Sequence, residues 1–359
     1  MNSQLNDPAG ISSGSNSTPR FSVLIVNYNG GSYIQEALAS LAKQTRRDFE
    51  VILVDNASTD GSLDGLDTRH LPAFTLLRES ENHGYAGGMN LAAARAQGDW
   101  LVGLNPDAVA AADWLEKIAN GISRHQRAKM FASAQLALEA PDTLDGAGDA
   151  YLIIGMPWRG GFGRPASELP AEGECFSPCG AGGVFERETF LKHGGFDERF
   201  FCFCEDVDLG FRLRLAGETC ILLPDAVIHH VGGGISGRSS DFSIYHGFRN
   251  RIWTYAKNMP SVIFWLTLPA HIGLSGYLLI RGAMTGRFKQ AWRGMRDGAT
   301  GAVSMRRSGR ELRRNRRVGL WALARTMAWN PFRMSTHRVH VREGVPETPV
   351  NGSSASEAR

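Results

Sequence analysis

Three long apolar runs are the feature of this sequence that most constrains its fold. They are "FSVLIVNYNG" (21–30), "FEVILVDNASTDGS" (49–62) and "DWLVGLNPD" (99–107), and each stays mostly apolar until polar residues end it. Half-exposed strands alternate apolar and polar residues, whereas strands buried on both faces are apolar throughout. The three runs therefore predict buried parallel strands.

The segments between these runs carry helical patterns. Residues 32–45 keep apolar side chains at helical spacing behind Ser32, a favourable N-cap, and a second helix is predicted near 87–97. A short strand is expected near 74–80. Alternating strands and helices predict an α/β fold with a parallel sheet, whose ligands bind beyond the carboxyl ends of the strands. Polar residues follow three of those ends, so we expect a site there.

The middle of the chain gives weaker patterns. Residues 140–180 are rich in Gly and Pro without a steady period, and they predict loops over the site. Residues 182–196 predict a strand or turn followed by a short helix. The alternation within 207–217 is compatible with a strand, but Gly217 and the carboxylates before it favour a helix.

The stretch "FCFCEDVD" (201–208) places Glu205, Asp206 and Asp208 directly after four residues that are aromatic or Cys. Carboxylates beside apolar side chains are costly to bury unless their charge is needed. The segment after the first predicted strand, "VNYNGGSYI", is no G-x-G-x-x-G motif, and nothing in the sequence matches the P-loop phosphate motif. A nucleotide bound at this acidic site would need another partner for its phosphates, and a divalent cation held by carboxylates is the natural substitute.

Charge is distributed unevenly along the chain. The segment Arg281–Arg342 holds 16 Arg and Lys against 2 Asp and Glu, and the remainder holds 23 basic and 34 acidic residues. Before this basic segment, residues 261–280 are mostly apolar. They are compatible with a single membrane span, a helix pair in the membrane interface, or a soluble hairpin. The basic segment is compatible with a solvated helical face or with attraction to anionic lipid.

The two ends of the chain, residues 1–20 and 346–359, are polar and predict disordered tails, and the first lacks the pattern of a signal peptide. The five cysteines do not form the framework of a secreted disulfide scaffold, which favours a cytosolic protein. Neither pair of close cysteines has the usual two-residue spacing of a zinc site.

Several motifs in order resemble the inverting family 2 glycosyltransferases of GT-A fold, and most closely the bacterial branch that contains rhamnosyltransferases of cell-surface polysaccharide synthesis. The resemblance covers about residues 21–255. It depends on "VLIVNYNG", "VILVDNASTDGS", "NHGYAGGMNLAAARAQGDWLVGLNPDA", "CGAGGVFERETFLKHGGFDERFFCFCEDVDLGFRLRLAG" and "IHHVGGGIS". It implies a Rossmann-like nucleotide-diphospho-sugar transferase domain.

The resemblance assigns the donor nucleotide to the first strand ends. Asp55 and Asn56 would meet a pyrimidine edge and a ribose, and the ring of Tyr28 would pack on the base. The alternative is that Asp55 only caps the next turn.

The segment "NHGYAGGMN" (82–90) surrounds a predicted helix start. Its residues Asn82, Gly84, Gly88 and Asn90 would let the diphosphate or sugar approach backbone N–H groups. The alternative is a glycine-rich turn without a ligand.

The turn "NPD" (105–107) stands where the family carries its D-x-D metal motif. Asp107 is the expected ligand of Mg²⁺ or Mn²⁺, with Asn105 nearby in place of the usual first Asp. Of the two histidines in "IHHVGG", the position of His230 matches the one that joins the metal or the diphosphate. The alternatives are a turn and a histidine without a metal.

The E-D motif of the family corresponds to Glu205–Asp206, and we expect Asp206 to act as the base that deprotonates the acceptor hydroxyl. Glu205 and Asp208 would orient the loop or cap the helix. The alternative is that all three carboxylates cap a helix and pair with Arg212 and Arg214.

Taken together, the sequence predicts a metal-dependent inverting glycosyltransferase. The expected donor is dTDP-L-rhamnose or a UDP-sugar, and the expected acceptor is a glycan or a polyprenyl-diphosphate-linked sugar. Residues 21–240 would form the GT-A domain, and residues 241–345 a helical region that associates with an anionic membrane surface on its cytoplasmic side.

The alternatives are a UDP-hexose or UDP-hexosamine transferase of the same fold, a non-catalytic relative that senses nucleotide sugars, and a nucleic-acid-binding protein acting through the arginine-rich segment. The preferred interpretation involves no nucleic acid.

Overall fold

The structure, a computed structural model, describes residues 20–232 and 240–343. The two predicted tails lie outside these ranges apart from Arg20, and so does the end of the "IHHVGGGIS" motif. The described residues form thirteen strands and eleven α-helices.

The strands are β1 (Phe21–Asn27), β2 (Phe49–Asp55), β3 (Phe74–Arg78), β4 (Trp100–Gly103), β5 (Ala108–Ala110), β6 (Met130–Ala137), β7 (Leu144–Ala147), β8 (Asp149–Leu152), β9 (Met156–Arg159), β10 (Gly173–Cys175), β11 (Gly183–Glu186), β12 (Cys220–His230) and β13 (Arg342–Glu343). The helices are α1 (Tyr33–Ala42), α2 (Gly84–Arg95), α3 (Trp114–Arg124), α4 (Arg187–Lys192), α5 (Glu205–Leu215), α6 (Asp241–Asn258), α7 (Ser261–Met284), α8 (Phe288–Ser308), α9 (Arg310–Arg314), α10 (Leu320–Thr326) and α11 (Pro331–Ser335).

A large mixed sheet organises the chain. Its strand order among the described residues is β13–β10–β12–β6–β11–β4–β1–β2–β3, with β5 added to β12 and β7 added to β6. β3, β2, β1 and β4 are parallel, β11 is antiparallel to both of its neighbours, and β12 is parallel to β6. The predicted α/β class is therefore confirmed, and β1, β2, β4, β6 and β12 all end at the same edge of the sheet.

Both faces of the central strands are covered by helices, which explains why their sequences are apolar throughout. Alternate residues of β1 point to opposite sides: Val23 and Ile25 pack in one apolar cluster with α1 and α3, whereas Leu24 packs in a second cluster with α2, α4 and α5. Every residue of β1 and β2 is buried. Burial on both faces holds the strand ends, and the side chains that follow them, in fixed positions.

The structure confirms the predicted helices near residues 32–45 and 87–97, and it makes 205–215 a helix. Ser32 occupies the N-cap position of α1, but its side chain makes no capping hydrogen bond. The prediction for 140–180 was wrong, because this segment contains four short strands. Each has three or four residues, too few for a visible period, and glycines with positive φ, such as Gly148 and Gly155, turn the chain near them.

The C-terminal region is helical, as predicted. Residues 261–284 form one continuous helix, α7, although Pro269 lies inside it. By length and composition α7 is able to cross a membrane, with a mean hydropathy of 1.5 and 17% of its most apolar window buried. A single helix of this kind is weak evidence for a span. α8 packs closely on α6 through Gly294, Gly298 and Gly301.

Candidate active site

The carboxyl ends of β1, β2 and β4 bring polar residues together at one edge of the sheet. Asn27 ends β1, Asp55 ends β2, and the two are paired in the register of these strands. Asn27 Nδ2 donates to the hydroxyls of Ser58 and Ser62, at 3.1 and 2.9 Å. The loops after β1 and β2 are therefore linked by side chains and form one rigid rim.

The residues assigned to the nucleotide lie on this rim. Asp55 is buried and accepts from the Ser58 N–H at 3.3 Å. Asn56 Nδ2 donates to the carbonyl of Gly84 at 2.9 Å, while its buried Oδ1 has no hydrogen-bond partner within the described ranges. The ring of Tyr28 is 43% exposed. The rim thus carries an exposed aromatic ring, that of Tyr28, and a buried hydrogen-bond acceptor without a partner in the described residues, Asn56 Oδ1.

The glycines of the "NHGYAGGMN" segment are explained by packing inside the protein. Gly84 has a φ of +70°, and a Cβ there would lie 2.4 Å from the carbonyl oxygen of Phe201. A Cβ on Gly88 would lie 2.6 Å from the side chain of Val26. Asn82 Oδ1 accepts from the Gly84 N–H at 2.8 Å and fixes the turn. These contacts require glycine at both positions, and the predicted approach of a ligand there stays a prediction.

The side-chain amide of Asn90 forms hydrogen bonds with other residues of the protein. Its Nδ2 donates to the Phe196 carbonyl at 2.8 Å and to Glu198 Oε1 at 3.0 Å, and its Oδ1 accepts from the Phe196 N–H at 2.9 Å. The amide is bonded to protein on both sides, which gives Asn90 a structural role, and its donor-binding role stays a prediction. The side chain positions the segment that precedes the acidic helix.

A second polar group lies where β4 and β12 end. His230 Nε2 lies 3.1 Å from Asp107 Oδ1 and 3.3 Å from Asn105 Nδ2, and His230 Nδ1 lies 2.7 Å from Asp145 Oδ2. The pairing of β5 with β12 sets Ala108 opposite His230 and so places Asp107 beside the ring. A histidine whose Nδ1–H is held by a carboxylate presents its Nε2 to a metal.

These residues fit a divalent cation. Asn105 Oδ1 is buried and has no hydrogen-bond partner in the part of the chain that the structure describes. It stands beside a carboxylate and an imidazole, and both are ligands that Mg²⁺ or Mn²⁺ accepts. Burial would lower the pKa of His230, but its hydrogen bonds with Asp107 and Asp145 outweigh burial and raise that pKa above 6.5. The group therefore favours positive charge at its centre.

Asp206 lies at the start of α5, and its side chain faces the sheet edge. Its Oδ2 accepts from the Gly180 N–H at 2.7 Å, and its Oδ1 accepts from the Val207 N–H at 2.7 Å. Burial raises the pKa of Asp206 above its ordinary value of 3.8, although these N–H groups and the charge of Arg159 offset part of the rise. Burial also raises the pKa of Glu205, with a further contribution from the charge of Asp206. The pair is therefore a better proton acceptor than exposed carboxylates.

Sequence reasoning missed three residues around Asp206. Ligand atoms of Asp149, Cys179 and Asp206 lie within 4.8 Å of one another. Burial raises the pKa of Asp149 well above 3.8, and it raises the pKa of the Cys179 thiol to about 12. The guanidinium of Arg159 pairs with Asp145 at 2.5 Å. The sequence feature that could have indicated these residues is a pair of carboxylates, Asp145 and Asp149, inside an apolar, glycine-containing stretch.

A short chain of contacts joins α5, the helix that carries Asp206, to the group formed by Asn105, Asp107 and His230. Arg159 lies beside Asp206 in one cavity and pairs with Asp145, which in turn holds His230. On the other side, Gly180 binds Asp206, and its carbonyl accepts from the Tyr85 hydroxyl at 2.9 Å. Asp206 and the Asp107–His230 group are therefore connected through Arg159 and Asp145.

Asp208 has a structural role in the fold. It is fully buried, and it accepts from Lys257 Nζ at 2.8 Å, Arg212 Nε at 2.8 Å and Asn258 Nδ2 at 2.7 Å. Burial would raise the pKa of Asp208, but the charges of Lys257 and Arg212 outweigh burial and lower it below 3.8. The predicted pairing with Arg212 is therefore present for this carboxylate, whereas Arg214 pairs with Glu174.

The turn before Asp206 is strained and is held by α6. Phe201, Phe203 and Cys204 all have positive φ, between 65° and 71°, which is uncommon for residues other than glycine. Asn250 Nδ2 lies 2.9, 2.8 and 2.7 Å from the carbonyl oxygens of Phe200, Cys202 and Phe203. The C-terminal region thus supplies the amide that fixes the acidic motif.

Known proteins share sequence features with this chain. Residues 22–135 match the family model described as glycosyl transferase family 2. An N-acetylglucosaminyl-diphospho-decaprenol L-rhamnosyltransferase of Mycobacterium tuberculosis is 28% identical in an alignment 299 positions long, which covers 73% of this chain and 93% of that protein. The O-antigen biosynthesis protein RfbC of Myxococcus xanthus is 31% identical over 59% of this chain and 17% of its own length.

Solved structures show the same fold. GalNAc-T7 with UDP, GalNAc and Mn²⁺ has a TM-score of 0.53 at 18% identity, and the match covers 68% of this chain and about half, 51%, of that one. Residues 1–349 of TarS from S. aureus, with UDP-GlcNAc, have a TM-score of 0.50 at 17% identity, covering 82% of this chain and 90% of that one. The chain is a glycosyltransferase of GT-A fold, and its residues 22–135 match glycosyltransferase family 2.

Proposed function

We propose that this enzyme transfers L-rhamnose from dTDP-L-rhamnose, with inversion and with a divalent metal, to a polyprenyl-diphosphate-linked N-acetylglucosamine in cell-surface polysaccharide synthesis. The observation that carries the proposal is that buried Asp206, with a raised pKa, is linked through Arg159 and Asp145 to the group of Asn105, Asp107 and His230. The named activity of the mycobacterial relative, which aligns over 73% of this chain, supports the choice of sugar and acceptor.

The donor nucleotide would bind along the rim formed after β1 and β2. The buried Oδ1 of Asn56 would accept the N3–H of a pyrimidine, since it has no partner among the described residues. Asp55 would accept from the sugar of the nucleoside, and the exposed ring of Tyr28 would cover the base. With the base and the sugar bound in this way along the rim, the diphosphate would lie towards the end of β4.

Asp107, His230 and Asn105 would hold the metal, with Asp145 fixing the His230 ring. When bound, the cation supplies positive charge that stabilises the departing nucleotide diphosphate. The protein then needs no acid for the leaving group.

Asp206 would take the proton of the acceptor hydroxyl. The hydroxyl oxygen forms a bond to the anomeric carbon while the bond from that carbon to the diphosphate oxygen breaks, and the electron pair leaves with the diphosphate. Since attack comes from the side opposite the leaving group, the configuration inverts. The N–H groups of Gly180 and Val207 hold the carboxylate in one orientation, so that a lone pair faces the acceptor.

The acceptor lipid implies work at the cytoplasmic face of a membrane. In support, α7 presents apolar side chains to solvent, and Trp265, Leu266 and Ile272 are 65%, 77% and 62% exposed. Arg and Lys side chains follow in α8, where anionic headgroups would attract them. We assign residues 21–240 to catalysis and 241–345 to membrane association, with α6 shared between the two functions.

A donor panel tests the proposal. Purified enzyme is mixed with dTDP-L-rhamnose, UDP-glucose or UDP-N-acetylglucosamine, with a lipid-linked N-acetylglucosamine acceptor, and nucleotide release is measured with Mg²⁺ or Mn²⁺ and with EDTA. We expect release from dTDP-L-rhamnose that EDTA abolishes and added metal restores. Faster release from a UDP-sugar would contradict the donor, and full activity in EDTA would contradict the metal.

A further inference from the structure

A cavity of about 410 Å³ opens beside Asp206 on the side away from the predicted donor residues. Strand β9, the turn before α5, and helices α6 and α7 form its walls, through side chains that include Trp158, Phe203, Phe248 and Leu278. None of the residues assigned to the nucleotide or the metal lines it within the described ranges. A molecule in this cavity would therefore reach the base from the acceptor side.

Arg251 of α6 is the polar feature that the fold leaves unexplained. It lines the cavity, is 3% exposed, and donates from NH2 to Ser275 Oγ at 2.7 Å. Its Nε and NH1 have no hydrogen-bond partner in residues 20–232 and 240–343. Burial lowers the pKa of Arg251 to about 10, so the guanidinium stays charged at neutral pH. A buried charge with free donors is costly unless an anion binds it.

The carboxyl groups in the same wall do not exclude an anion. Burial raises the pKa of Asp149 well above 3.8, which disfavours a negative charge on that group. Arg159 lines the cavity together with Asp206, and its charge offsets that of the base. One end of the cavity therefore suits a hydroxyl, and the end near Arg251 suits a phosphate group.

The cavity continues to an exposed apolar surface. Leu278 of α7 lines it, and the neighbouring Tyr277 and Ile280 are 55% and 63% exposed. α7 carries no charged residue before Arg281. An alkyl chain leaving the cavity past Leu278 would therefore lie along an apolar helix face rather than in water.

We propose that this cavity is the acceptor site and that Arg251 binds the diphosphate of a polyprenyl-diphosphate-linked sugar, whose isoprenoid chain leaves along α7. The inference rests on the proposed function and adds the group that recognises the acceptor. The sugar hydroxyl meets Asp206, the diphosphate meets Nε and NH1 of Arg251, and the lipid follows Leu278.

The first test compares two acceptors with the same lipid and the same sugar, dodecyl-diphospho-N-acetylglucosamine and dodecyl β-N-acetylglucosaminide. In Arg251→Gln, we expect the ratio of kcat/KM for the first acceptor to that for the second to fall about 10- to 100-fold, the effect of losing charge-assisted hydrogen bonds. Arg251→Lys should restore part of the ratio. Because only folded enzyme contributes to either rate, the ratio is insensitive to partial unfolding.

The second test fills the cavity. Gly247 of α6 lines it, and a Cβ there would meet no atom within 4 Å. Gly247→Leu should lower transfer to the lipid-diphosphate acceptor at least tenfold without harming α6, because leucine favours helix more than glycine does. Gly319→Leu is the matched control, since Gly319 is exposed at the start of α10, outside α7 and the cavity, with equally open space. This control should transfer at the parent rate.

Binding of dodecyl diphosphate, measured by calorimetry, separates this inference from the proposed function. We expect the parent to bind it and Arg251→Gln to bind at least tenfold more weakly, whichever nucleotide sugar proves to be the donor. Equal binding by both proteins would overturn the inference. An unchanged acceptor ratio in Arg251→Gln, or an equal rise in donor KM that assigns Arg251 to the donor diphosphate, would overturn it as well.

Discussion

Asp206 and Asp208 are two residues apart in α5, yet their surroundings shift the pKa values of the two carboxyl groups in opposite directions. Asp208 lies between Lys257, Arg212 and Asn258, and these contacts hold its pKa below 3.8. Asp206 accepts from two backbone N–H groups, and burial holds its pKa above 3.8. In the described residues no Lys or Arg forms an ion pair with it.

The difference separates stability from catalysis. A buried carboxylate that is fully paired stabilises the fold and has no lone pair left for a substrate. A buried carboxylate without a cation costs folding energy, but it accepts a proton more readily near neutral pH. One helix turn therefore contains a structural acid and a reactive one, and a D-x-D spacing in sequence does not distinguish them.

The largest expected effect comes from removing the reactive charge. Asp206→Asn should lower the rate of transfer by about 10²- to 10⁴-fold, the usual contribution of a positioned base. The asparagine Oδ1 can still accept from the Gly180 N–H, so the fold should persist. Nucleotide release at saturating donor measures the loss, and circular dichroism checks the fold. A variant as active as the parent would show that another group takes the proton.

Removing the paired charge should affect folding instead. Asp208→Asn leaves Lys257 buried with one ion-pair partner fewer, and we expect the free energy of unfolding at pH 7 to fall by about 3–5 kcal/mol. Because the folded pKa of Asp208 is lowered, this contribution exists above the pKa of an unfolded Asp and disappears as pH falls through the folded pKa. Parent and variant should therefore converge in acid.

Urea unfolding followed by fluorescence measures this change. Asp67→Asn is the matched control, since Asp67 forms an exposed ion pair with Arg69 that should contribute little. If Asp208→Asn were as stable as the parent while its transfer rate fell 10²-fold, Asp208 would belong with the catalytic carboxylates.

The smallest expected effect is a shift in pH dependence. Transfer requires the ionised base, so kcat/KM should rise with pH through an apparent pKa above 3.8 that belongs to the Glu205–Asp206 pair. The charge of Arg159 lowers the pKa of Asp206, so Arg159→Gln should move the acid limb up by about 1 pH unit. Rates at saturating metal across pH 4–8 test this, with exposed Arg69→Gln as a control that should not shift. A limb that moved down would contradict the assignment.

The strands and their polar ends could be predicted because each is a local pattern. The runs at 21–30 and 49–62 are apolar throughout, and burial on both faces requires that composition. The position of Asp206 was also predictable, because an acidic group after an aromatic run is a local signal. Its role still depends on resemblance to a family and stays a prediction.

The rest depends on contacts between distant residues. Asn90 and Phe196 are 106 positions apart, and no local pattern indicates that the amide of Asn90 is occupied there. Because the short strands in 140–180 show no period, the sequence predicts Asp145 and Asp149 to be loop residues. Gly84 looked like a ligand-binding glycine because the contact with Phe201 is formed only by the folded chain.

The strained turn at Phe201–Cys204 has a consequence for how the enzyme matures. The amide that holds it belongs to Asn250, 47 to 50 positions after the carbonyl groups that it binds, so the ribosome exposes the acidic motif well before the residue that fixes it. A nascent chain that has been released only as far as β12 would carry its nucleotide rim but not an ordered base. Catalytic competence would then begin only when α6 has emerged and docked, which couples the onset of sugar transfer to the arrival of the helices that lead to the lipid.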